Sequence, residues 1–113
     1  INMLLAETLV KKIVANCTIT EATNGYDAVA LSEIELPDLI LMDIQMPVQN
    51  GYDATMAIRK SKTIMHIPVI ALTAGVLNGE KEKCISHGMS DYITKPIVHD
   101  DLEKVLHKWL KKN

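Results

Sequence analysis

A chain of 113 residues, 48% apolar and 23% charged, is long enough for one domain with a moderate core and too apolar to be disordered. Its net charge of −2 and pI near 6.1 argue against nucleic-acid binding driven by electrostatics. No apolar run approaches the roughly 20 residues of a membrane span, no signal peptide is visible, and Cys17 and Cys84 form no C-x-x-C pair, so buried thiols of a reducing compartment are expected rather than a disulfide or a zinc site.

Residues 1–15 read as a helix, because Leu5, Leu9 and Ile13 recur every four positions with Glu7, Lys11 and Lys12 on other faces. The periodicity is already running at Ile1 without a cap, which predicts further chain upstream. Residues 18–22 are β-branched and alternating and read as a strand. Asn24-Gly25 breaks it, and Asn24 can cap a helix over residues 26–35 with Ala28, Leu31 and Ile34 turned inward. The apolar run at residues 39–42 suits a short strand buried on both faces of a parallel sheet, with Asp43 following at its end.

Residues 47–51 form a loop punctuated by Pro47 and Gly51, and residues 53–61 a helix with Ala54, Ala57 and Ile58 inward. Residues 67–72 are a second all-apolar strand, its Pro68 near the start, where a missing donor is tolerable, and it ends at Thr73. Residues 78–86 read as a more polar helix that Gly88 stops in the left-handed conformation. Residues 91–94 are a short strand running into Lys95-Pro96. Asp100 with Glu103 resembles a capping box opening a last helix over residues 101–111, where Leu102, Val105, Leu106, Trp109 and Leu110 are the apolar stripe.

Strands alternating with helices imply right-handed crossovers and one parallel sheet covered on both faces, an α/β doubly wound fold. Parallel strands end on one edge, and in open α/β sheets that edge is where sites are built. Asp43, Thr73 and Lys95 therefore share it: a carboxylate, a hydroxyl and an ammonium. Asp43 is a candidate nucleophile towards phosphorus, Lys95 a balance for charge on a transferred phosphoryl group, and Thr73 a hydrogen-bond donor to its oxygens. Each has a plainer reading: Asp43 as the start of a turn, Thr73 as a cap, Lys95 as a surface lysine.

The residues Pro37-Asp38-Leu39-Ile40-Leu41-Met42-Asp43-Ile44-Gln45-Met46-Pro47, then Asn50-Gly51, Pro68-Val69-Ile70-Ala71-Leu72-Thr73-Ala74 and Gly88-Met89-Ser90-Asp91-Tyr92-Ile93-Thr94-Lys95-Pro96, resemble the receiver domain of two-component response regulators and hybrid sensor histidine kinases. Thr73 lies 30 residues after Asp43 and Lys95 another 22 on, which also fits, and the resemblance spans residues 1–113 as one domain. It implies a flavodoxin-like fold of five strands. It implies that Asp43 accepts a phosphoryl group from phosphohistidine, with Mg2+ held by the Asp43 carboxylate and the backbone carbonyl of Gln45. Thr73 and Lys95 would meet the phosphoryl oxygens. Tyr92 would sit at the aromatic switch position that follows Thr73, Pro96 would follow a cis bond, and the loop after Thr73 would be the two-state element.

The family's first strand and its acidic, magnesium-binding pair would precede Ile1. The missing piece, about ten residues, is expected to belong to the parent protein rather than to be deleted or supplied by another chain. Without the pair, magnesium binding is expected to be weak, because one carboxylate is a poor site for an ion that dehydrates reluctantly. Asp100-Asp101 does not replace it, since it reads as a helix start.

The implied partners are a histidine kinase or phosphotransfer domain carrying phosphohistidine, and a second copy of the chain through the last helix–strand–helix face. Direct contact with nucleic acid or membrane is not expected, and the implied location is the cytoplasm. The wording of the Asp43 segment looks most like receivers attached to hybrid histidine kinases, so any enzyme activity would be the parent's. Two alternatives stand beside this reading: a phosphorylation-independent binding module on the same fold, and a phosphohydrolase with an Asp nucleophile. The second usually has an acid two residues after the nucleophile, where this chain has Gln45. His66, His87, His99 and His107 show no ligand spacing and read as solvated or locally bonded. Met42, Met46, Met56 and Met89 read as packing residues.

Overall fold

The computed structural model describes residues 10, 13, 22, 24–44, 50–73 and 80–110. The elements run α1 (Gly25–Glu35), β1 (Ile40–Asp43), α2 (Gly51–Lys60), β2 (Val69–Thr73), α3 (Glu80–Ser86), β3 (Asp91–Thr94) and α4 (His99–Leu110). Val10 and Ile13 are helical; of the strand expected at residues 18–22, residues 18–21 lie outside the described residues and Ala22 is in no strand. Among the described residues the sheet has three strands in the order β1-β2-β3, all parallel.

Alternation along the strands divides the core in two. Met42, Val69 and Ala71 face one way and pack with Tyr52, Ala54, Ile58, Cys84 and Met89 from α2, α3 and the turn after α3. Ile70, Leu72 and Ile93 face the other way and pack with Ile97, Leu102 and Leu106, and with half-buried Val10 and Ile13. Every residue of β2 is buried, as a central strand covered on both faces requires. Helices on both faces of a parallel sheet make this the doubly wound α/β architecture.

Several boundaries differ from the sequence expectation. Asp43 and Thr73 belong to their strands rather than following them. Asp43 pairs with Leu72 and Thr73 with Thr94. Asn24 caps α1 by accepting from the Asp27 N–H at 2.9 Å. Asn50 does the same for α2 through the Asp53 N–H at 2.9 Å, so that helix begins at Gly51. The last helix begins at His99, with Asp100 and Asp101 inside its first turn and the Leu102 N–H bonded to the Val98 carbonyl at 3.1 Å. The Asp100–Glu103 capping box is therefore not formed; the acids there favour the positive end of the helix dipole instead.

The α1 stripe is also rotated from expectation. Ile34 is 72% exposed, while Gly25 and Ser32 are buried and Ala28 and Val29 touch the core. The helix presents its small residues inward, which lets it sit close to its neighbours. Met56, read as packing, is 41% exposed on α2. Gly88 takes φ +96° after α3, the left-handed stop that the sequence signalled.

Leu36 ends α1 in the same left-handed region, at φ 51°, and is 56% exposed. A Cβ is strained there, and the side chain recovers little burial. Leu36→Gly is therefore expected to stabilise the fold by about 1 kcal/mol, read as a higher urea midpoint at unchanged m-value.

Arg59 joins three segments of the fold. Its guanidinium donates to the carbonyls of Gly88 at 2.8 Å, Met65 at 2.9 Å and Ile67 at 2.7 Å, and to Ser90 Oγ at 3.2 Å. Burial lowers its pKa, yet an arginine so placed stays charged at neutral pH. The fork fixes the turns that lead into β2 and β3, and hence the height at which those strands end.

Candidate functional site

The carboxyl ends of β1, β2 and β3 lie side by side. The ladder carries past the strands: the Ile44 N–H donates to the Leu72 carbonyl at 3.2 Å, and the Lys95 N–H to the Thr73 carbonyl at 2.7 Å. Alternation sets the directions. Asp43 shares the face of its partner Leu72, and Lys95, two residues beyond Ile93, shares it too. Their side chains meet: Lys95 Nζ lies 2.7 Å from Asp43 Oδ2, with the side chains 18% and 24% exposed. The residues are 52 apart in the chain, so only the sheet brings them together.

Thr73 ends the central strand between them and is 3% exposed. It alternates to the other face of the sheet, the face of half-buried Tyr92, whose strand partner is Ala71. The Lys95–Pro96 peptide bond is cis. Gln45 and residues 74–79 lie outside the described residues.

The edge can hold a charged group against a cation. The Asp43 carboxylate is partly exposed, with the Lys95 ammonium in charge-assisted contact. An anionic group added to Asp43 would lie within reach of the same ammonium. As a hard oxygen donor, the Asp43 carboxylate fits magnesium as one ligand. Among the described residues, the group of three potential metal ligands within reach of one another is His99, Asp100 and Glu103 on α4, and Asp43 is not part of it.

Sequence reasoning missed the part that Gly51 plays. Its N–H donates to the Ile44 carbonyl at 2.9 Å. A Cβ on Gly51 would stand 2.5 Å from the Asp43 carbonyl oxygen and 2.8 Å from the Ile44 Cα. The start of α2 is thus seated on the backbone that carries the carboxylate. The Asn50-Gly51 pair was legible as a turn and cap signal, but not as a contact with Asp43. Gly51→Ala has no flexible side chain to push aside and should destabilise the fold by about 2–3 kcal/mol, seen as a lower urea midpoint.

The chain matches the response regulator receiver domain family over residues 1–107. It is 40% identical over 111 residues to the sensor protein GacS of Pseudomonas syringae pv. syringae, covering 96% of this chain and 12% of GacS. It is 39% identical over 102 residues to hybrid signal transduction histidine kinase G of Dictyostelium discoideum, covering 89% of this chain and 3% of that kinase. The chain thus spans a small fraction of these relatives. Among solved structures it resembles the receiver domain of sensor histidine kinase PA1611 from Pseudomonas aeruginosa PAO1, which has a magnesium ion coordinated in its active site cleft. That likeness has a TM-score of 0.86 and 36% identity, and covers 96% of this chain and 88% of that one.

Proposed function

The chain belongs to the response regulator receiver domain family and is homologous to the receivers of hybrid histidine kinases, and from that premise we propose that Asp43 is its phosphoacceptor in a histidine–aspartate phosphorelay. The observation that supports the assignment is the 2.7 Å contact between Lys95 Nζ and Asp43 Oδ2 at the carboxyl edge of the sheet, beside buried Thr73.

In the transfer, an Asp43 carboxylate oxygen bonds to phosphorus as the phosphorus–nitrogen bond to the donor imidazole breaks, and the freed imidazole takes up a proton. Such transfers depend on position and charge balance more than on covalent help. Lys95 exchanges the carboxylate for a phosphoryl oxygen, and Thr73, whose side chain starts on the other sheet face, turns over the strand end to donate its hydroxyl to another. Tyr92, on the same face as Thr73, follows its movement. Magnesium would be held by the Asp43 carboxylate and the Gln45 carbonyl, and when bound it shields the negative charges that must approach one another.

The donor is a histidine kinase or phosphotransfer domain carrying phosphohistidine, and the parent is a hybrid histidine kinase in the cytoplasm or facing it. The receiver itself contacts neither nucleic acid nor lipid. Among the described residues no helix is long and apolar enough to cross a membrane. A second copy would dock on the face of α3, β3 and α4, where Ile85, Tyr92 and Val105 line a groove rimmed by Asp101, Lys104 and Lys108. A rim of both signs suits a two-fold contact.

The test is transfer of labelled phosphoryl from a phosphohistidine donor in the presence of magnesium. One label per chain, released by hydroxylamine as a carboxyl phosphate is and mapped to the peptide containing Asp43, is the expected result. Rapid multiple turnover of a phosphomonoester would overturn it in favour of a hydrolase.

A further inference from the structure

We propose that Tyr52 is a positioning residue that links the Asp43 edge to α3, by a route separate from Thr73 and Tyr92; the proposal rests on the phosphoacceptor reading above. The route begins at the backbone contact already described. Gly51 sits so close to the Asp43 carbonyl that no side-chain atom can lie between them. A shift at the end of β1 therefore moves the first residue of α2 with little slack, because close-packed backbone transmits displacement instead of absorbing it.

The next residue is Tyr52, which is buried and reaches across to α3. Its hydroxyl lies 4.0 Å from Cys84 Sγ. Its ring packs tilted against His87, at 4.6 Å between centroids and 39° between planes. Lys83 Nζ stands 4.9 Å from the ring centroid, within range of a cation–π contact. His87 is held in turn by its Nδ1–H, which donates to the Lys83 carbonyl at 2.7 Å. One aromatic side chain thus touches the last turn of α3 and the residue that follows it. The α3 helix cannot slide along the sheet without breaking or carrying those contacts.

The Thr73–Tyr92 pair lies on β2 and β3, so the two routes leave Asp43 through different elements, although Tyr92 packs against the same core cluster as Tyr52. Both converge on α3, because β3 also packs against that helix. Phosphorylation of Asp43 would then be read at α3 twice, once through the strands and once through α2.

The experiment follows amide hydrogen exchange over residues 80–88 in the full-length protein, with and without phosphorylation, alongside label uptake and thermal midpoint. Tyr52→Leu removes the ring, and Tyr52→Phe keeps it. In Tyr52→Leu, uptake at Asp43 is expected within about twofold of the wild type, while the phosphorylation-induced change in exchange falls at least threefold. Tyr52→Phe should fold, take label and restore most of that change. A purely structural role would lower the midpoint in both states and leave the induced change intact. An induced change equal to the wild type in Tyr52→Leu overturns the link. So does a Tyr52→Leu, Thr73→Ala double variant no weaker in its response than Thr73→Ala alone, since separate routes must add. If the unsubstituted protein takes no label, the phosphoacceptor reading itself falls, and the link with it.

Discussion

Asp43→Asn should bring label uptake from a phosphohistidine donor down to background. The substitution keeps the shape and leaves an amide oxygen for Lys95 Nζ, now 2.7 Å from Oδ2, to bond. What it removes is the anionic oxygen that must form the bond to phosphorus, and an uncharged amide is no substitute nucleophile. The fold should survive, because the lost charge–charge component of one partly exposed contact is worth about 1 kcal/mol or less. Uptake is measured as label per chain, with circular dichroism as the control for folding. Label that persists in a folded Asp43→Asn protein would mean that another residue is the acceptor.

Lys95→Met should slow transfer by about 100-fold, the usual cost of losing one donor aimed at developing negative charge. The methionine keeps much of the stem that packs along the strand end, so the loss isolates the ammonium. The same variant should bind magnesium more tightly, because the carboxylate it leaves has no competing cation in contact with Oδ2. A slower transfer coupled to a tighter metal is a pattern that general unfolding does not produce. Rapid-quench kinetics and a magnesium titration followed by isothermal calorimetry would measure the two. An unchanged transfer rate would show that the ammonium does not meet the phosphoryl group.

Both predictions concern residues that could be named before any fold was known. The apolar runs at residues 39–42 and 67–72 were legible because strands covered on both faces carry no polar residue on either. Once the strands are parallel, their polar terminal residues must share an edge. The element types of the described helices and strands, the caps at Asn24 and the left-handed Gly88 were legible for the same reason: each is decided within a few residues of chain.

Local pattern by itself determined the order of the described helices and strands and which residues arrive at the strand ends. Tertiary structure alone decided what those ends touch. The seat of Gly51 on Asp43, the Arg59 fork across to Gly88 and the tilted packing of Tyr52 on His87 each depend on how far one element slides along another. So does the outward turn of Ile34. Periodicity reports which side of an element is apolar, but the offset between two packed elements is set by side-chain volumes summed over the whole interface. No short stretch of sequence contains that sum.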